Sequence, residues 1–437
     1  MRGPTRNGVT IFVLAQWEAV PVPRGRAGTG ERCKLEGMAI SKLNPPQRFL
    51  FGPGPSQVDP RVYAAMAKPI VGHLDPYFFQ INMESREVLK RLYGTANDFT
   101  LAISATGSGG METCIANFVE PGSKFAVFTS GFFADRMAEM GKRQGGHVVR
   151  LDKAWGEAYS GEEAREFILR ERPQVVGFVH AETSTGIFQK AEAICAAARE
   201  VGALVIADCV TSLGAMPIRL DECGIDIAYS CSQKGLSCPP GLSPITVSPR
   251  AMEWLKGRAS QCATWYFDLK LLAEYFDGAH RYHHTAPISM FYALREALAT
   301  IEDEGIEQRF DRHYSNHLAF VAAVEAMGLE MMVADPAHRL RTLNTVKVPA
   351  GVDDLKVRQH LMAKHGIEIG GGFGPLAGKI FRIGLMGVLS TEPDVLFLLS
   401  AFEEALRENG FVLPGAAGAG MAAAREVYAK LTPVSAL

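Results

Sequence analysis

The run ALVIADCV, residues 203–210, stays apolar for five positions and then ends on an aspartate. A strand with one face in water alternates apolar and polar residues. An unbroken run of this kind reads as a strand covered on both faces. Comparable runs recur along the chain: FTLAIS (99–104), KFAVFTS (124–130), QVVGFVHAE (174–182) and DIAYSCSQKG (226–235). Longer amphipathic stretches alternate with them: METCIANFV (111–119), FFADRMAEMGKRQG (132–145) and AEAICAAAREVG (191–202). Buried strands alternating with helices predict an α/β domain with a mainly parallel sheet. Such a sheet takes its ligands at the carboxyl ends of its strands.

The pattern changes after SMFYALREALATIEDEG (289–305), which reads as a long helix. LNTVKV (343–348), the helical DDLKVRQHLMAKHG (353–366), IEIGG (367–371), KIFRIGLMG (379–387) and the helical EPDVLFLLSAFEEALRENG (392–410) describe a smaller α+β domain. The expected organisation is an amino-terminal extension over 1–45, a large domain over 46–300, a small domain over 301–412 and a tail helix over 413–437. The first 37 residues are basic and rich in glycine and proline, which reads as a partly disordered arm upstream of Met38.

Composition bounds the function. Of 437 residues, 47 % are apolar and 21 % charged, a balance that can bury a large core. A net charge of −2 gives no basic footprint for nucleic acid and no polybasic membrane anchor. No apolar run has the length of a membrane span. The eight cysteines are scattered without a C-x-x-C pair, so neither a metal site nor a disulfide framework is indicated. A protein of a reducing, cytoplasmic compartment is expected.

Four features carry chemistry, and each follows a strand-like run. ATGSGGMET (105–113) offers free backbone N–H groups ahead of a helix, where an anion is favoured. Its spacing fits neither a dinucleotide fingerprint nor a Walker A loop. HAETSTG (180–186) brings hydroxyls to a strand end, and Asp208 closes ALVIAD. Lys234 is the one charged residue of YSCSQKGLSCPPG (229–241), a loop of small residues and prolines. Lysines mostly lie at the surface, but an amine held in a pocket loses basicity and becomes a nucleophile. A phosphate cradle, an acid for a ring nitrogen and a lysine nucleophile are together what pyridoxal phosphate requires.

From about residue 46 to 412 the chain resembles the class V aminotransferases of fold type I, closest to their alanine–glyoxylate and serine–pyruvate branch. The resemblance rests on FGPGPS (51–56), TGSGG (106–110), EPG (120–122), HAETSTG, ADCVTSLG (207–214), SQKGLSCPPG (232–241), RYHHTAPISMFYALREAL (281–298) and FRIGLMG (381–387). It implies a large domain with a mainly parallel seven-stranded sheet, a small carboxy-terminal α+β domain, and pyridoxal 5′-phosphate as cofactor. It implies that Lys234 carries the cofactor and moves protons, while Asp208 pairs with the ring nitrogen. Val210 would pack on the ring, and Phe133 would stack on it in place of a tryptophan. Ser108, Gly109, Gly110 and Gln233 would contact the phosphate, with Gly110 replacing a histidine, and Thr183 would set a hydroxyl beside the cofactor. Tyr282 and Thr285 would reach the phosphate of a neighbouring subunit, giving a homodimer with shared sites. Arg382 would bind the substrate carboxylate.

The implied reaction is a ping-pong transfer of the amino group from alanine or serine to glyoxylate or pyruvate, between small amino acids and 2-oxo acids. Serine–glyoxylate transamination, or another class V reaction, is the alternative. A cysteine desulfurase would have histidine where Gln233 and Phe133 stand, and a protein that only carries the cofactor would not need Arg382. His283 and His284 have no spacing that suits a metal.

Overall fold

In a computed structural model, residues 42–276 and 279–431 are described. By contacts the chain divides into Met1–Pro46 and Gln47–Leu437. Of the first unit only residues 42–46 are described, and they lack regular structure. Most of the extension expected over 1–45 therefore lies outside the described residues.

The apolar runs become the central sheet. Its strands are β1 (Phe99–Ile103), β2 (Lys124–Thr129), β3 (His147–Asp152), β4 (Val175–Val179), β5 (Leu204–Asp208), β6 (Ile227–Tyr229) and β7 (Ser243–Val247). Their order across the sheet is β1-β7-β6-β5-β4-β2-β3. Only β7 runs against its neighbours, so the sheet is mainly parallel, as expected. All five residues of β1, β4, β5 and β7 are buried, which is why these strands read as unbroken apolar runs. Helix α1 (Gly107–Phe118) follows β1, and α2 (Phe132–Arg143) follows β2.

The first correction concerns α1. The glycines of TGSGG read as a loop ahead of the helix, because glycine disfavours helix by about 1 kcal/mol relative to alanine. They form its first turn instead. Gly110 lies against β7 and β6: a Cβ there would overlap Ser243 Oγ and stand 3.4 Å from the Tyr229 Cβ. Close packing of helix on sheet requires the missing side chain.

Beyond the sheet domain come α3 (Ile306–Ala326), the strand β8 (Leu343–Lys347), helix α4 (Asp354–His360), the short strand β9 (Gly370–Gly371), β10 (Ile380–Gly384), α5 (Glu392–Glu408) and α6 (Ala419–Lys430). The strands form a small antiparallel sheet in the order β8-β10-β9. A π-helical turn, Leu361–His365, continues α4 and ends on Gly366. Two large apolar cores result. One spans positions 58–310 around the central sheet; the other joins Phe51 to residues between 319 and 424. Phe51 reaches the second core because Phe49 and Leu50 pair with Ile367 and Glu368. No helix among the described residues is long and apolar enough to cross a membrane.

Candidate active site

Five strand ends converge on one cavity. Its lining includes Ser108 after β1, Phe133 after β2, Thr183 after β4, Asp208 at the end of β5, and Lys234 after β6. Val210 and Gln233 line it as well.

Asp208 is fully buried. Its two carboxylate oxygens accept from the Tyr229 hydroxyl at 2.7 Å and from the Val210 N–H at 2.8 Å. Burial nevertheless pushes its pKa up to about 6. Water has been taken from this carboxylate, and a fixed cation in the cavity would restore its charged state. Lys234 is mostly buried. Burial holds its ammonium below the usual lysine range, and the nearby Arg382 guanidinium pushes in the same direction. Its Nζ donates to the Pro53 carbonyl, and Ser56 ties the same loop down, donating from Oγ to the Lys234 carbonyl at 2.7 Å and from its N–H to the Gln233 carbonyl at 2.9 Å. The FGPGPS stretch is thus the wall against which the lysine rests.

The amino end of α1 opens onto this cavity. Thr106 is its N-cap but makes no side-chain capping bond. The first N–H groups of a helix have no partner within it, so those of Gly107, Ser108 and Gly109 remain for an anion. Gly110 is a second correction. Its N–H already donates to the Thr106 carbonyl at 3.1 Å, and its Cα faces the sheet, so the expected phosphate contact is not available from it. Gly107, which the sequence reading passed over, lines the cavity in its place.

Two residues missed in the sequence shape the site. Arg136 lies one turn after Phe133 on α2, lines the cavity, and donates from Nη1 to Ser108 Oγ at 2.8 Å. It brings a positive charge beside the open end of α1. Glu182 is buried and accepts four hydrogen bonds: from the Phe133 N–H at 3.0 Å, the Ala134 N–H at 3.2 Å, and the Ser184 N–H and hydroxyl at 3.0 and 2.6 Å. Gly131 makes room for it, since a Cβ there would meet the Glu182 side chain. Burial pushes the Glu182 pKa up to about 7. The signal available in the sequence was a carboxylate between an apolar run and three hydroxyls in HAETSTG.

Arg382, on β10, does not line the cavity but stands beside it. It is buried, donates to the Gly371 carbonyl at 2.6 Å and the Thr183 carbonyl at 3.3 Å, and lies 3.9 Å from the Phe373 ring centre. Its pKa is lowered to about 10 by burial. Tyr282 and Thr285 are not brought to the cavity of their own chain. Both are exposed, and Tyr282 packs on His73 with ring centres 5.2 Å apart. His283 and His284 are buried and share a hydrogen bond of 2.8 Å between their Nδ1 atoms; His284 also bonds Ser104.

These residues fit pyridoxal phosphate on structural grounds. The cavity joins an uncapped helix end and a guanidinium to a buried carboxylate and a buried amine. Gln233 Oε1 and Thr211 Oγ1 are buried there without a hydrogen-bond partner, which a bound polar group would supply.

Comparison with known proteins agrees. Residues 48–383 match the family described as aminotransferase class-V. The crystal structure of an alanine–glyoxylate aminotransferase from Nostoc sp. is 45 % identical, with a TM-score of 0.83, and the match covers 85 % of this chain and 98 % of that one. The ureidoglycine–glyoxylate aminotransferase structure from Bacillus subtilis is 37 % identical, with a TM-score of 0.86 over 89 % of this chain and all of that one. An alanine–glyoxylate aminotransferase of Oryctolagus cuniculus is 38 % identical over 365 residues, 83 % of this chain and 93 % of its own length.

Proposed function

The chain belongs to the class V aminotransferases, and from that membership we propose that it is an alanine–glyoxylate aminotransferase whose chemistry centres on Lys234 and Asp208. It is a pyridoxal-phosphate-dependent transaminase. When bound, the cofactor supplies an electron sink for the charge left on the substrate Cα after a proton is removed.

The chain's own residues supply the rest. Gly107, Ser108 and Gly109 offer N–H groups to the phosphate, with Gln233 and Arg136 beside them. Asp208, short of water, keeps the ring nitrogen protonated. Phe133 and Val210, which line the cavity, would hold the ring, and Thr183 would offer it a hydroxyl. Lys234 would hold the cofactor and, with its Nζ free, would move a proton at the substrate Cα as general base and then general acid. Its lowered pKa supports that role, because a neutral amine is needed first. Arg382 is suited to a carboxylate by its planar fork of donors. With Arg136 committed to the phosphate end through Ser108, Arg382 is the arginine left for a carboxylate, so monocarboxylic donors are favoured over glutamate or aspartate.

Tyr282 and Thr285 complete a partner's phosphate site in this reading, and the enzyme is a homodimer. What supports it is exposed apolar surface: Trp265, Tyr266 and Tyr282 stand in solvent, Tyr282 packs on His73, and Ile70, Leu74 and Tyr77 in the same stretch as His73 are exposed as well. Co-refolding Lys234→Ala chains with Tyr282→Phe, Thr285→Val chains then restores activity beyond the average of the two parents. A cytoplasmic location suits the seven described cysteines, all of them free thiols.

The observation that carries the function is the meeting of a buried amine and a buried carboxylate at the carboxyl ends of neighbouring parallel strands. Borohydride reduction of the cofactor-loaded protein, followed by peptide mapping, tests it; the adduct is expected on Lys234, and an adduct elsewhere overturns the assignment. A panel of alanine, serine, glutamate and aspartate with glyoxylate then ranks the donors. (S)-Ureidoglycine belongs in that panel as a second reading, since the (S)-ureidoglycine–glyoxylate transaminase of Bacillus subtilis is 36 % identical over 89 % of this chain.

A further inference from the structure

His360 ends α4, His365 closes the π-helical turn that follows, and Glu404 faces them from α5. Residues five apart diverge around a regular α-helix. The i→i+5 bonding of a π turn makes them neighbours, and such turns are frequent at functional sites. Here the two imidazoles lie with ring centres 6.2 Å apart. His360 Nε2 is 3.8 Å from Glu404 Oε1, and His365 Nε2 is 3.4 Å from Glu404 Oε2. One nitrogen from each histidine and one carboxylate oxygen all lie within 4.8 Å of one another. Tetrahedral ligands at the usual zinc distances of about 2.0–2.1 Å stand about 3.4 Å from each other. Closing this triangle onto an ion therefore shortens no separation by more than about 1.4 Å.

A second observation points the same way. Both Nε2 atoms are buried and have no hydrogen-bond partner. Two orphaned imidazole nitrogens aimed at one carboxylate are costly to keep without a partner. Lys364, within the same π turn, ion-pairs with Glu404 Oε1 and is itself half exposed. It neutralises the carboxylate, and a short swing into solvent would release it.

We propose that His360, His365 and Glu404 form a binding site for a borderline divalent transition ion such as zinc, with water completing the shell. Two imidazoles and one carboxylate select zinc, cobalt, nickel or copper over magnesium and calcium, which take oxygen ligands. The site lies in the second core region, on residues the transamination chemistry does not use. Bound metal ties the π turn to α5. The sequence gives little sign of it, because H-x4-H is not a helical pair and Glu404 lies 39 residues further on.

The test uses the full, cofactor-loaded chain after removal of adventitious metal with a chelator. Zinc is titrated against a competing chromogenic chelator, and cobalt(II) is added separately to read the visible ligand-field bands of a low-coordinate site. One zinc per chain is expected. His360→Gln and His365→Gln each weaken it by about tenfold or more, since a three-ligand site loses one ligand. Lys364→Met removes the competing ammonium and tightens it, a gain that damage to the fold would not produce. Transaminase activity and the circular dichroism spectrum of the metal-free variants stay at the parent level. The proposal fails if the parent binds no zinc, if the double histidine variant binds it as well as the parent, or if magnesium competes equally.

Discussion

Two helices begin at the same cavity, and they treat their amino ends in opposite ways. At α2 the first three N–H groups are filled from within the chain: Phe132 donates to Ser184 Oγ, and Phe133 and Ala134 donate to the Glu182 carboxylate. At α1 the N-cap side chain makes no bond, and Gly107, Ser108 and Gly109 keep their donors. Both ends carry the same partial positive charge. A protein that needed only stable helices would cap both. The internal carboxylate at α2 makes that helix a fixed bracket for Phe133, while the open end of α1 leaves its charge for an anion from outside. Arg136 links the two, since it grows from α2 and bonds Ser108 in the first turn of α1.

The largest effect should come from making the two ends alike. Thr106→Asp places a carboxylate at the N-cap of α1, where aspartate is a preferred capping residue worth about 1 kcal/mol. The same charge faces a phosphate carrying nearly two negative charges, and like charges in a shared site are strongly unfavourable. Cofactor affinity is expected to fall by about a hundredfold, read by spectroscopic titration of the cofactor-free chain. The melting temperature of that cofactor-free chain should hold or rise. A variant that keeps its cofactor would show that α1 does not receive the phosphate.

Next in size is an effect of pH, because the filler at α2 titrates. Burial raises Glu182 from 4.5 to about 7, and Asp208 from 3.8 to about 6. A carboxyl with a raised folded pKa holds its proton more tightly in the native state. Its stabilising contribution is complete below the unfolded pKa and is lost as pH rises through the folded one. The cofactor-free chain should thus lose stability from about pH 4 to pH 7, by roughly 3 kcal/mol per carboxyl, given about 1.4 kcal/mol per pKa unit. Denaturant titrations at fixed pH measure it. Asp208→Asn should remove the part below about pH 6 and leave the Glu182 part; an unchanged slope would mean that Asp208 is not its source.

The contrast between the helix ends also marks what could be read without coordinates. The buried strands were legible because both faces are covered, so each strand shows an unbroken apolar run. Lys234 and Asp208 were legible because a charge at the end of such a run has few structural uses. The start of α1 was not, since glycine opposes helix locally and only the close approach of Ser243 and Tyr229 explains its presence. Glu182 looked like part of a hydroxyl-rich turn, because its partners lie about fifty residues earlier, at Phe133 and Ala134. Arg136 stands within the amphipathic FFADRMAEMGKRQG and gains meaning only from the turn of helix that aims it at Ser108. His360, His365 and Glu404 depend on a π turn, which no local pattern announced.

The smallest effect concerns the side chain that α2 presents. Phe133 is half-buried, with its ring centre 5.5 Å from that of Phe132 and the Arg136 guanidinium carbon 5.0 Å from it. If the filled end of α2 exists to aim this ring at the cofactor, Phe133→Leu should remove a stacking face while keeping much of the apolar volume. Aromatic stacking beyond simple burial is worth about 1 kcal/mol, or roughly fivefold in affinity. Cofactor binding should weaken by that amount in the variant, with the melting temperature of the cofactor-free chain nearly unchanged. Phe133→Trp should keep the affinity, because the indole offers a larger face at the same place. If the ring serves only as core packing, the pattern inverts. Leucine would then lower the melting temperature of the cofactor-free chain, the larger tryptophan would overpack and lower it further, and cofactor affinity would stay level across all three residues. The two outcomes separate on one pair of measurements, and only the first is consistent with a helix whose amino end is filled in order to hold a ring in place.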